Sequence, residues 1–144
     1  MKKFFLILFA SLSTLLSNAT ETPNAVLKSF QSTFSGAREV RWNENGQFFK
    51  ANFVLDGQHI NAYYNNEGEM VALTRNMTLS QLPVMLQADL KNKAGKDNWI
   101  TDIMEYTTDE GTTYYATMEN ADLKITLRSA SNSEWMTHKK IEKI

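Results

Sequence analysis

Short runs in which apolar and polar side chains alternate constrain this chain more than any other feature. Phe49, Ala51, Phe53 and Leu55 alternate with Phe48, Lys50, Asn52 and Val54; Ile60, Ala62 and Tyr64 alternate with His59, Asn61 and Tyr63. A strand sends successive side chains to opposite faces, so each run reads as a β-strand with one face turned to a core. Asp56-Gly57 separates the two runs. It is a hairpin signal because both residues tolerate the positive φ of a tight turn. Val40 and Trp42 share a face on a preceding strand, residues 65–68 form the next turn, and residues 70–75 continue as a strand. This is a four-stranded antiparallel meander. A second set of strands follows near 99–107, 113–119, 123–128 and 134–141, with turns at Asp109-Glu110-Gly111, 120–122 and 129–133.

Between the strand sets the period changes from two to about four. Val26, Phe30 and Phe34, with Leu27 beside them, make one apolar stripe. The spacing predicts a helix from Pro23 to Ser35, opened by Thr22-Pro23 and stopped by Gly36. Leu82, Leu86 and Leu90, flanked by Met85, predict a second helix. Ser80 caps it, Pro83 sits in its first turn where a lost donor is tolerated, Lys91, Lys93 and Lys96 lie at its anionic end, and Gly95 ends it. The order predicts an α+β fold built as a tandem repeat. Each copy is one helix plus a four-stranded antiparallel meander, over about 22–77 and 78–144, with the helices packed on one face of the sheet. Sliding Phe49–Ala72 onto Tyr114–Thr137 needs no gap, and Ala51, Ile60 and Glu69 then match identical residues.

The N-terminus sets the compartment. Lys2 and Lys3 precede an apolar run from Phe4 to Ala10, which thins through Leu12, Leu15 and Leu16 to Ser17-Asn18-Ala19. This is the pattern of a secretory signal peptide over residues 1–19, cleaved after Ala19. The run is shorter than the roughly 20 apolar residues of a membrane span. A single domain over residues 20–144 remains, periplasmic or secreted. Losing Lys2 and Lys3 takes the formal charge from −1 to −3. An acidic domain has no electrostatic footprint for nucleic acid, nor for an anionic membrane once the signal is gone. The chain has no cysteine, which excludes thiol nucleophiles, Cys-based zinc sites, a lipidated N-terminal Cys and disulfides.

The polar residues form no catalytic, cofactor or metal signature, so no cofactor is predicted. Asn65-Asn66-Glu67-Gly68-Glu69 lacks the spaced carboxylates of a calcium loop. Asp109 and Glu110 are adjacent acids at a hairpin tip, where both stay solvated. His59 and His138 are far apart with no nucleophile motif near them. The informative signal is aromatic excess on both strand faces. With Phe49, Ala51, Phe53, Ile60, Ala62, Tyr114, Ala116, Met118, Ile125 and Leu127 turned toward the helices, alternation leaves His59 and Lys124 on the other face. It also leaves Phe48, Lys50, Tyr63, Tyr115, Thr117 and Arg128 there, and these six are the predicted partner-binding residues. Two helices cannot cover both faces of eight strands. An open face bearing Phe, Tyr and Arg has the composition of a protein-binding surface; the plainer reading is cross-strand pairing on a solvated sheet.

Several stretches together resemble the PepSY-like, β-lactamase-inhibitor-like family of small exported bacterial proteins common in Bacteroidetes. They are V-R-W at Val40–Trp42, F-K-A-N-F at Phe49–Phe53, A-Y-Y-N-N-E-G at Ala62–Gly68, T-R-N-M at Thr74–Met77, Leu82-Pro83, and Y-Y-A-T-M at Tyr114–Met118. The resemblance spans residues 24–141, and order and spacing carry it. It departs where the family often has Asp after the third strand and this chain has Asn65 and Asn66. The resemblance implies a helix-plus-meander fold and transfers no activity, since fold alone does not fix function. The combined expectation is a non-enzymatic exported binding module, inhibitor-like, docking an extracytoplasmic protein through the open sheet face. The alternative is a carrier or sensor of a small apolar ligand held between sheet and helices.

Overall fold

The alternating runs become strands in which every second residue is buried. β2 (Phe48–Leu55) buries Phe49, Ala51 and Phe53, and β3 (Gln58–Tyr64) buries Ile60, Ala62 and Tyr64. The computed structural model describes residues 21–130 and 133–144, with Asn45 as backbone alone. The expected signal peptide therefore lies outside the described residues. Around β2 and β3 stand α1 (Asn24–Thr33), β1 (Arg38–Asn45) and β4 (Met70–Asn76). A 3₁₀ turn (Leu79–Gln81) and α2 (Val84–Ala94) follow, then β5 (Trp99–Thr108), β6 (Gly111–Glu119), β7 (Leu123–Ser129) and β8 (Met136–Glu142).

The expected tandem repeat is corrected by the strand pairing. The eight strands form one continuous antiparallel sheet in the order β1 to β8. Strand β4 pairs with β5 from Leu73↔Thr107 to Asn76↔Met104, so there are not two separate four-stranded units. The described residues are mostly sheet, with two α-helices. The physical reason is an edge problem. A meander ending at β4 would leave a row of unpaired N–H and C=O groups, and β5 satisfies them.

Both helices lie on the same face. Val26 and Phe30 of α1 pack on Phe49, Ala51, Phe53, Ile60, Ala62 and Tyr64. Leu86, Leu90 and Ala94 of α2 pack on Ile103, Tyr114, Ala116, Met118 and Leu127. The row Phe53–Ile60–Arg75–Glu105–Tyr114 runs from one core to the other across five strands. At its centre Arg75 donates from Nε to Glu105 Oε1 at 2.7 Å and from Nη2 to Oε2 at 3.2 Å; Nη1 donates to Gln58 at 2.8 Å.

Local rules place the connections. Asp56 and Gly57 both have positive φ (49° and 78°), as the hairpin signal requires. Gly68 has φ 85°, and a Cβ there would stand 2.6 Å from the Ala25 carbonyl oxygen. Its missing side chain thus lets the β3–β4 turn close onto the start of α1. The second helix begins later than the leucine spacing suggests. Leu82 precedes proline and is held extended (φ −68°, ψ 154°), so Pro83 splits the 3₁₀ turn from α2 instead of lying inside one helix. Gly95 (φ 59°) ends α2 and donates to the Lys91 carbonyl at 3.0 Å. Trp135 is buried just before β8, where its indole N–H donates to the Leu86 carbonyl at 2.9 Å and its backbone N–H to Asp89 at 2.7 Å.

Candidate functional site

The face opposite the helices is covered by no described helix or loop. Alternation and register put all six predicted residues on it, in two groups. Lys50 faces Tyr63 across β2–β3, with its ammonium 5.8 Å from the ring centroid, and Phe48 stands at the start of β2, 40% exposed. Tyr115 faces Arg128 across β6–β7, and Thr117 faces Thr126. The His138 ring meets Tyr115 edge-on at 5.5 Å. Strands β4 and β5 separate the groups, so Tyr63 and Tyr115 stand three strand steps apart, about 14 Å across the sheet, and are offset by four residues along it, Tyr63 level with Ala72 and Tyr115 with Asn76.

That central strip contains residues that the alternation argument does not reach. Tyr106 of β5 stands opposite Thr74 and Thr113, and Met104 opposite Tyr115. Ala72 and Thr74 are buried on this face although no described element covers it. Tyr63 is directly across from Ala72 and Tyr106 directly across from Thr74. Asn52 donates to Asn61 Oδ1 at 2.8 Å, and Asn61 donates to Thr74 Oγ1 at 3.2 Å, so a polar ladder leads across β2, β3 and β4 toward Tyr106. A depression of about 680 Å³ opens beside it, lined by Tyr106, Thr113, Tyr115 and Arg128 and rimmed by Glu110.

At one corner of the face Glu119 is already engaged. Lys143 lies 2.8 Å from its carboxylate and Lys124 3.6 Å away. Hydrogen bonding from Lys143, with Lys124 adding charge, holds the Glu119 carboxyl below its usual range. On the helix side, hydrogen bonding to Glu105 raises the Arg75 guanidinium further. Burial pushes the Tyr64 phenol up to about 12, and burial followed by the Glu105 charge raises Tyr114.

The other polar groups singled out in the sequence have local roles. Asn65 Oδ1 accepts from the backbone N–H of Glu67 and Glu69, and its amide donates to Glu69 at 2.7 Å, so this loop turns its oxygens inward. Asp109 and Glu110 are exposed at the β5–β6 turn. His59 on β3 and His138 on β8 stand five strands apart. Among the described residues, no three His, Asp or Glu side chains converge as metal ligands would.

The space between sheet and helices under α1 is filled by rings. Phe53 lies 5.0 Å from Phe30 and 4.8 Å from Phe34, centroid to centroid. An apolar groove of about 420 Å³ lies instead at the sheet edge, between α1 and β1, lined by Leu27, Phe30, Phe34, Val40 and Trp42.

No family model and no curated protein matches the chain. Solved structures do match. A BLIP-like protein from Bacteroides fragilis superimposes with a TM-score of 0.75 at 13% identity, covering 88% of this chain and 92% of that one. The chain shares its fold with this protein. A DUF2874 family protein from Bacteroides ovatus gives 0.73 at 16% identity, over 85% and 89% of the two chains. A Bacteroides eggerthii protein, provisionally described as periplasmic, gives 0.74 at 13% identity over 85% and 89%. At such identity the likeness carries architecture and no activity. The inhibitor-like half of the resemblance read from the sequence thus has structural counterparts in Bacteroides, and none of these three is described as PepSY-like. Among the described residues, no helix is long and apolar enough to cross a membrane.

Proposed function

We propose that this chain is an exported, non-enzymatic binding module that docks a protein partner through its open sheet face. One observation carries the reading: an eight-stranded face bearing Tyr63, Tyr106, Tyr115 and Arg128 is left uncovered by every described element. Tyrosine and arginine are the anchors that dominate protein interfaces, because they bury large area and still make polar contacts. Export rests on the signal pattern of residues 1–19, with a provisionally periplasmic structural neighbour in support. Inhibition of a partner enzyme is one form such docking takes.

The test is a Tyr63→Ala, Tyr115→Ala double variant used as bait in the periplasmic fraction of the source organism, beside the unaltered protein. The variant stays folded by circular dichroism and loses the partner that the unaltered protein retains. Retention of that partner by the folded variant places the site elsewhere. The groove between α1 and β1 supports the small-ligand alternative in altered form, at the sheet edge. That reading requires a Trp42 fluorescence change with an apolar probe such as 1-anilinonaphthalene-8-sulfonate, lost in a Val40→Asp variant.

A further inference from the structure

The open face differs from the rest of the molecule in charge. The chain as a whole is slightly acidic, with 16 Asp and Glu against 15 Lys and Arg. Its acids gather in turns, as at Glu67, Glu69, Asp109, Glu110, Asp122 and Glu134. The registers place Arg41 opposite Asn52, Lys50 opposite Tyr63, Arg128 opposite Tyr115 and Lys139 opposite Thr126, all on the open face. Against these four cations the strands offer Asp102, opposite Thr117, and Glu119. Glu119 is held by Lys143 and Lys124. No salt bridge among the described residues involves Arg41, Lys50, Arg128 or Lys139.

The size of the face argues for a protein over a small molecule. Seven inter-strand steps of about 4.8 Å span about 34 Å, and strands of this length run about 25 Å at roughly 3.3 Å per residue. The footprint is on the order of 800 Å², one partner's share of a standard protein interface. Tyrosines interleaved with unpaired cations give that area both anchors and a sign.

We infer that the partner docked on this face is a protein presenting an acidic surface, held by Arg41, Lys50, Arg128 and Lys139 around the tyrosines. This rests on the docking reading above and adds the partner's chemistry to it. Opposite charge across an interface raises the encounter rate and rejects wrong partners, and it weakens with salt.

The experiment takes the partner retained by the unaltered protein and measures its affinity for a Lys50→Glu, Arg128→Glu variant. The variant is checked for folding by circular dichroism. The expected result is a loss of more than about tenfold on charge reversal. A similar loss is expected for the unaltered pair between about 0.05 M and 0.5 M salt, where screening shortens the reach of exposed charges. If the tyrosine variant loses the partner but the charge-reversed variant keeps it, the docking face stands and the acidic partner is overturned. If both variants keep it, the face itself is wrong. Two other probes are run beside it: phosphatidylglycerol vesicles and duplex DNA. Binding to either that equals the protein affinity and disappears on charge reversal shows a general polyanion surface and overturns the inference. A retained partner whose contact surface is neutral or basic overturns it as well.

Discussion

The guanidinium of Arg75 and the carboxylate of Glu105 meet through two hydrogen bonds, side by side on β4 and β5. They stand where the first four strands join the last four. Both side chains are partly buried, at 29% and 15% exposure. A charged hydrogen bond in such a site contributes about 1.5–3 kcal/mol. Glu105→Gln should therefore lower the unfolding free energy by about that amount, measured by urea titration. An Arg75→Met, Glu105→Met double variant should lose less than the sum of the two single changes, because neither charge is then stranded. Strict additivity would show that the pair does not act as a unit.

Tyr64 is fully buried, and its hydroxyl has no hydrogen-bond partner among the described residues. A buried hydroxyl without a partner is a cost, so Tyr64→Phe should raise stability at pH 7 by about 1 kcal/mol. The same residue sets an alkaline limit. In the unfolded chain the phenol ionises near 10.0, and in the folded protein at about 12. The unfolded state loses its proton first, so this contribution is intact below pH 10 and declines as the pH climbs toward 12. The slope reaches at most about 1.4 kcal/mol per pH unit. Chemical denaturation between pH 9 and 12 should show a shallower decline in the Phe variant. Equal slopes would mean that Tyr64 ionises freely in the fold.

Phe53 sits between Phe30 and Phe34 with no exposed surface. Phe53→Ala removes a ring from a packed cluster, at a cost of about 3–5 kcal/mol. A shift in the denaturant midpoint corresponding to less than about 1 kcal/mol would mean that the inward and outward faces of β2 are exchanged.

Two glycines with similar backbone separate strain from contact. Gly46 has φ 63° and nothing within 4 Å of the place a methyl would occupy, whereas at Gly68 a methyl would collide with the Ala25 backbone. Gly46→Ala should cost about 1–2 kcal/mol, the left-handed backbone penalty alone. Gly68→Ala should cost clearly more and should loosen α1. Hydrogen exchange of the α1 amides reads that loosening, and unchanged protection would remove Gly68 from the account of how α1 is seated.

Much of this arrangement is legible residue by residue. The inward set from Phe49 to Leu127 follows from period two, and all of it is buried except Ile125, which is half-buried. The Asp56-Gly57 turn follows from φ preferences. The junction of β4 with β5 has no local signal, since α2 intervenes and the register depends on pairing across the chain. The strand count is therefore readable and the single sheet is not. Tyr106 and Met104 escape the pattern for a related reason. An irregularity between Ile100 and Asp102 breaks the phase of β5, and its open face shows clearly only beside β4 and β6. Leucine spacing alone starts α2 too early, because it runs straight through Pro83 while the backbone at Leu82 does not.

The strand order has a consequence for how the chain reaches this state. Every strand pairs with its sequence neighbour, and of the seven pairings one, β4 with β5, waits for an intervening helix. A polypeptide delivered N-terminus first can add one strand at a time, each zipping onto the last as it emerges, with β5 arriving after α2. The loop-closure entropy is then met in small steps, with one larger closure at the α2 connection between β4 and β5. The growing edge is always a single strand, and the last to arrive, β8, carries Lys139 and Lys140. Charged side chains on such a strand resist pairing with a foreign edge.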